Sequence, residues 1–209
     1  MGAFLLIRPQ DDAAAEQAST WCDRLADELI AAGHELLGDV DDGTPPSAAS
    51  IEAALDMPAD LVCYFGHGAP DAWLTDGKAT IDKVSAGAAA GKVVVSIACL
   101  TSRELGPAAV DAGVRSWLGF TIKVPVILPH KNVDIVGEAL LAGLRALAQG
   151  ATLGDVRDSL ILAFDQLAAD CDDGGSLAGH PAQPIGYYGA LALKDSVEVA
   201  GDKHTAPLS

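Results

Sequence analysis

The chain has 209 residues, a length that suits one domain, with room for one long insertion. Half of the residues are hydrophobic and only 5% aromatic, so the core must be built mainly from Ala, Val, Leu and Ile. Twenty-nine acidic residues against 13 basic ones give a formal charge of −16, a surface that repels nucleic-acid phosphates and anionic lipid heads and excludes both as expected partners.

Ala3 to Arg8 is a short apolar run closed by Pro9 and reads as a buried strand. Asp11 and Asp12 precede a helical pattern in which Trp21, Leu25 and Leu29 share one face, ending at Gly33. His34 to Val40 is a second strand, 41 to 46 a loop rich in turn residues, and Ser47 to Leu55 a short helix. Asp60 to Phe65 is a third strand, which stops at Gly66-His67-Gly68. Ala72 to Ile81 reads as a hairpin turning at Asp76-Gly77.

Val93 to Ala98 is the strongest strand in the sequence. It is largely β-branched and apolar on both faces, as a central parallel strand should be, and it stops at Cys99. A helix is expected over Arg103–Ala112, a strand over Val114–Ile122 and a helix over Asp134–Gln149. Thr152 and Asp155 mark the capped start of a further helix carrying Val156, Leu160, Phe164 and Leu167. The stretch from Cys171 to Pro184 reads as a loop, Ile185 to Val199 as one or two closing strands, and 201–209 as a C-terminal tail behind a single domain over 1–200. Strands alternating with helices predict right-handed crossovers, hence an α/β, three-layer α-β-α sandwich with a mainly parallel sheet.

The four cysteines (Cys22, Cys63, Cys99 and Cys171) form no Cys-x-x-Cys pair and have no His cluster at metal-ligand spacing. Free thiols, no cofactor and no metal are therefore expected. The start of the chain lacks a basic segment, and its apolar run is too short for a signal peptide. No stretch of about 18 apolar residues predicts a membrane span, so a cytoplasmic protein is expected.

Open parallel sheets bind ligands at the carboxyl ends of their strands. That rule singles out Arg8 to Asp12, Gly66-His67-Gly68, Cys99 to Arg103 and the stretch after Gly119, beginning at Phe120. Two of the four carry reactive groups. If the strands before His67 and Cys99 are neighbours, about 5 Å apart, an imidazole and a thiol share one rim. The imidazole can then take the thiol proton during attack and protonate the departing amine. The backbone N–H groups of Gly68 and Cys99 are candidate oxyanion donors, and a helix just after Cys99 would favour the thiolate.

An apolar strand ending in His67-Gly68 and a second ending in Ala98-Cys99 resemble the paired signature of caspase-like (clan CD) cysteine peptidases. The segment from Ala109 through Gly113 and Gly119 to Thr121, and Gln149 to Asp155, are similar to gingipain-type and CHAT-type members. The resemblance spans roughly residues 3 to 195. It implies His67 as general base and acid, Cys99 as nucleophile and Gly68 as an oxyanion contact. It places the loop after the first strand in the substrate pocket. There Arg8 would suit an acidic P1 residue and Asp11 or Asp12 a basic one; basic P1 is the expectation.

The leading function is therefore a cysteine endopeptidase acting on peptide or protein through a thioester acyl-enzyme. A second reading is a catalytically silent relative serving as a signalling or assembly module, with the high apolar content permitting self-association. A third, a flavodoxin-like small-ligand domain, needs a phosphate-cradling glycine loop after the first strand. Arg8-Pro9-Gln10-Asp11-Asp12 supplies none. The acidic run Asp170, Asp172, Asp173 reads as solvated loop rather than a calcium site.

Overall fold

The computed structural model describes residues 1–41, 46–129 and 133–208. The loop expected at 41–46 thus lies largely outside the described residues. Nine strands and six α-helices are described: β1 (Ala3–Ile7), α1 (Ala13–Ala31), β2 (Glu35–Val40), α2 (Ala48–Leu55), β3 (Leu61–Phe65), β4 (His67–Ala69), β5 (Ala72–Thr75), β6 (Lys78–Asp82), β7 (Val93–Ile97), α3 (Leu105–Asp111), β8 (Ser116–Phe120), α4 (Ile135–Leu144), α5 (Leu153–Asp170), α6 (Gln183–Lys194) and β9 (Val197–Gly201).

Six strands form the main sheet in the order β2-β1-β3-β7-β8-β9; all pairings are parallel except β8 with β9. The sheet is covered on both faces. Phe4, Leu6, Cys63, Phe65, Val95, Ile97, Leu118 and Phe120 point into one core with α1, α4 and α5. Leu5, Ile7, Val62, Tyr64, Val94 and Trp117 point into a second with α2, α3 and the β5–β6 hairpin. Each strand therefore alternates between two apolar environments, which is why β3 reads as an unbroken hydrophobic run and β7 as one interrupted only by Ser96. Every residue of β7 is buried, and each large side chain there contributes about 1.5–3 kcal/mol of transfer free energy. The architecture is the expected α-β-α sandwich.

Helix starts follow local chemistry. Asp12 caps α1 by accepting from the N–H groups of Ala14 and Ala15, both at 2.9 Å. Thr152 and Asp155 close the predicted capping box at the start of α5. The hairpin turns where expected, with Asp76 and Gly77 at φ +50° and +69°. Positive φ at both central residues is the primed geometry that matches strand twist.

Two expectations are corrected. Ile185 to Lys194 is not a strand but most of α6. The run is apolar and aromatic enough to suggest a strand, yet its buried residues are Gly186, Ala190 and Leu193, a helical spacing seated against α5, with Pro184 in the first turn. The closing strand is β9 alone. The segment after it is also no free tail. The N–H groups of Leu153 and Gly154 donate to the carbonyls of Thr205 and Lys203, and Leu208 is buried against Gly2.

Candidate active site at the ends of β3 and β7

Strands β3 and β7 are direct neighbours, paired in parallel from Leu61–Val93 to Phe65–Ile97. His67 and Cys99 each follow two residues beyond the last pair, so register carries both to the same rim of the sheet. They line one cleft of about 170 Å³, whose walls are Ala14, Ala15, Ala18 and Trp21 of α1 together with Ile97, Ala98, Val124 and Val126. The cleft is apolar apart from the two reactive groups.

Several features hold the two turns together. A Cβ on Gly68 would lie 2.5 Å from the Cys99 carbonyl oxygen and 2.6 Å from the Thr101 methyl, so only glycine lets β4 pass this close. The Tyr64 hydroxyl lies within hydrogen-bond distance of the carbonyls of His67 (2.8 Å) and Leu74 (2.9 Å), tying the His67 backbone to the hairpin. Its ring stacks on Trp73 at 4.3 Å, and Trp73 in turn stacks on Trp117 at 5.5 Å. On the far side of the thiol, Leu100 sits at φ +66°, a conformation costly for a leucine, and its N–H donates to Ile122. The strained turn fixes the backbone immediately after Cys99.

His67 is oriented by a carboxylate. Its Nε2 lies 3.0 Å from Asp12 Oδ2 and 4.0 Å from Asp11 Oδ1. A carboxylate accepts only, so the proton sits on Nε2 and leaves Nδ1 as the basic nitrogen. Asp12 is held below the usual carboxylate range, first by the Ala15 N–H and then by His67. Asp11 Oδ2 accepts from the Asp76 N–H at the hairpin tip, while its Oδ1 is buried without a hydrogen-bond partner.

The Cys99 thiol is part-exposed and points its weak donor at the Val124 carbonyl, 4.0 Å away. Burial pushes it above its ordinary value of 9.0, outweighing the opposing pull of the Val124 backbone, of Lys123 and of its own backbone. The expectation of a helix dipole lowering it is corrected: α3 starts only at Leu105 and has seven residues. No hydrogen bond joins thiol and ring among the described residues. Catalytic hydrogen bonds of this kind commonly tighten only with substrate in place. The backbone N–H of Cys99 has no backbone acceptor among the described residues, which leaves it available to an oxyanion. Cys63, in β3, is buried and pushed up to about 12.

None of the four predicted substrate contacts lines the cleft beside Cys99. The Arg8 guanidinium is bound bidentately by Asp39 (2.8 and 2.6 Å), paired with Asp23 and Asp41 (both 2.8 Å) and donates to Ser19 (3.0 Å), so it has no face for an acidic P1 residue. Phe120 is wholly buried against Phe164 and does not line the cleft beside Cys99. Asp12 is taken up by α1 and His67, and neither it nor Asp11 lines the cleft beside Cys99. Sequence reading missed Tyr64 and Trp21, since both look like ordinary core residues; the Trp21 indole N–H donates to Asp134, which fixes the cleft wall. It also missed the convergence of Asp11, Asp12 and His67, three ligand-bearing side chains whose donor atoms lie within 4.8 Å of one another. Asp170, Asp172 and Asp173 form no such group among the described residues.

No protein-family model matches the chain, and no curated protein matches it by sequence. Solved structures do match its fold. The crystal structure of the Arg-specific cysteine proteinase gingipain R superposes over 97% of this chain with a TM-score of 0.59 and 16% identity. The complex of the Porphyromonas gingivalis RgpB pro- and mature domains does so over 98%, with a TM-score of 0.61 and 14% identity. The chain spans about half the length of those chains, 46% and 48% respectively. At such identity the likeness is one of fold alone, and the fold is one shared with gingipain R.

Proposed function

We propose that the protein is a cysteine endopeptidase in which Cys99 attacks the scissile carbonyl and His67 moves the proton. The observation that carries this reading is the delivery of an imidazole and a thiol to one cleft by adjacent, in-register strands. The gingipain-type fold supports it. Because burial raises the Cys99 pKa, the resting group is the thiol, and His67 Nδ1 acts as general base during attack rather than holding a preformed ion pair. Asp12 holds the ring and stabilises the imidazolium as it forms. The Cys99 N–H, with that of Gly68 beside it, receives the oxyanion. His67 then protonates the amine, and water resolves the thioester.

The lining of the cleft bears on specificity. A basic P1 residue would need a carboxylate in the pocket, whereas the walls nearest Cys99 are alanines, Ile97, Val124, Val126 and Trp21. We therefore favour a small or medium apolar P1 side chain over the basic one. The test is a fluorescent peptidyl acyloxymethyl ketone series with varied P1. Labelling should occur, should be strongest with Ala or Val at P1, and should vanish in Cys99→Ala while persisting in Cys63→Ala. Equal labelling of both variants would remove Cys99 from the chemistry. An inert wild type would favour the assembly-module reading.

A further inference from the structure

We propose that Asp11, Asp12 and His67 form a binding site for a divalent transition-series cation such as Zn²⁺, and that its occupation switches off the His67 base. The inhibitory consequence rests on the peptidase reading; the binding does not.

Asp11 Oδ1, Asp12 Oδ2 and His67 Nε2 lie within 4.8 Å of one another. The two separations to Nε2 are 4.0 and 3.0 Å. Ligand atoms about 2.0–2.2 Å from a tetrahedral zinc sit a little over 3 Å apart, so small side-chain shifts complete the set. A second observation points to a cation. The Asp11 side chain is only 7% exposed, and its Oδ1, the oxygen nearer to His67, meets no donor. A buried carboxylate oxygen without a donor is costly, and a cation would satisfy it. Asp11 is held in that direction by its other oxygen, which the hairpin-tip N–H of Asp76 occupies. Two carboxylates beside one imidazole also add local acidity to a chain already at −16.

The donor set selects the metal class. Imidazole nitrogen with two carboxylates suits zinc and its neighbours, with three protein ligands and open positions for water. Calcium wants six to eight oxygens, which three side chains here do not supply.

The inhibition follows from proton placement. In the metal-free ring Nε2 carries the proton and Nδ1 is basic. Coordination needs the Nε2 lone pair, so a ring bound to the cation through Nε2 carries its proton on Nδ1. The nitrogen that would accept the Cys99 proton then becomes a donor, and the thiol loses its base.

Isothermal titration of the intact chain with ZnCl₂ after chelator treatment tests this. One Zn²⁺ per chain is expected for wild type and equally for Cys99→Ala. Asp11→Asn should weaken binding by more than the roughly 10- to 100-fold that loss of an outer-shell partner costs. Asp12→Asn, which keeps a helix cap, should weaken it similarly, with near-UV circular dichroism confirming that each variant is folded. Absence of binding to wild type would overturn the proposal. So would binding that survives Asp11→Asn but is lost in Cys99→Ala, which would put the metal on the thiol. Calcium competing at equal concentration would overturn the choice of metal class. Probe labelling of metal-free protein is scored separately: zinc binding with no labelling leaves the site standing and removes the peptidase.

Discussion

Two clusters of charge stand at the same rim of the sheet, and they are built to opposite ends. In the first, three carboxylates converge on Arg8, with Ser19 beside them, and the guanidinium is held further above its ordinary pKa, chiefly by the Asp39 hydrogen bonds. In the second, two carboxylates converge on a histidine, one carboxylate oxygen is left without a donor, and an uncharged thiol faces the same cleft. The first is closed: its fixed cation is surrounded by acceptors and excludes ligand. The second is open, because one of its carboxylate oxygens meets no donor and its histidine lines the cleft. Charge alone would not distinguish them, since both are acidic clusters around one nitrogen base. Saturation of hydrogen bonds does.

The largest effect that would sharpen the contrast is on stability. Replacing Arg8 by Met removes the one cation from among Asp23, Asp39 and Asp41. Breaking a buried ion pair costs about 3–5 kcal/mol. Partial exposure of the three carboxylates brings the expected loss nearer 3. The sign with pH is checkable. Burial already holds the Asp23 carboxyl above its ordinary value against the pull of Arg8, so without Arg8 it rises further and the penalty is full above it. Stability of Arg8→Met relative to wild type should recover as pH falls from 7 towards 4. Urea denaturation at several pH values measures it. A variant with an unchanged midpoint would make the Arg8 cluster a surface feature.

This closed cluster also marks where sequence reading failed. Arg8 looked available because it follows β1, and its partners come from α1 and the end of β2, which no local pattern connects to it. Phe120 looked accessible because it ends β8. Yet in a sheet buried on both faces alternation carries no polarity, so nothing in Ser116–Phe120 shows which residues face α5. The rim itself was legible. The His67 and Cys99 turns follow two strongly apolar strands, and the missing fact was that β3 and β7 are adjacent. The strand misread in 185–194 fell to the aromatic and glycine content of Ile185-Gly186-Tyr187-Tyr188-Gly189, whose helical spacing shows only once α5 is beside it.

Within the open cluster, Asp12→Asn separates orientation from capping. Asparagine caps a helix about as well as aspartate, so stability should change by no more than about 0.5 kcal/mol. The charge facing His67 is lost, however, and the amide can now present a donor to Nε2. The expected result is a fall in kcat of about 10- to 100-fold with KM nearly constant, the pattern of an interaction made only in the transition state. Asp12→Glu should restore part of it. An equal loss of folding stability and activity would reduce Asp12 to a cap.

The smallest effect concerns the thiol in the free protein, and it separates a base that acts during attack from a standing ion pair. A preformed thiolate–imidazolium pair would alkylate at a rate nearly flat across neutral pH. Here desolvation raises the Cys99 pKa above 9.0, and His67 is turned to Asp12 by its Nε2. The rate of iodoacetamide labelling at Cys99, followed by mass spectrometry, should therefore climb about tenfold per pH unit from 6 to 8 and keep rising past 9, since below its pKa the thiolate fraction grows by that factor. His67→Ala should shift that profile little, because the ring does not hold the proton of the resting thiol. A plateau near pH 7 that disappears in His67→Ala would show a standing pair. The open cluster would then already be balanced in the free protein, and its contrast with Arg8 would reduce to exposure.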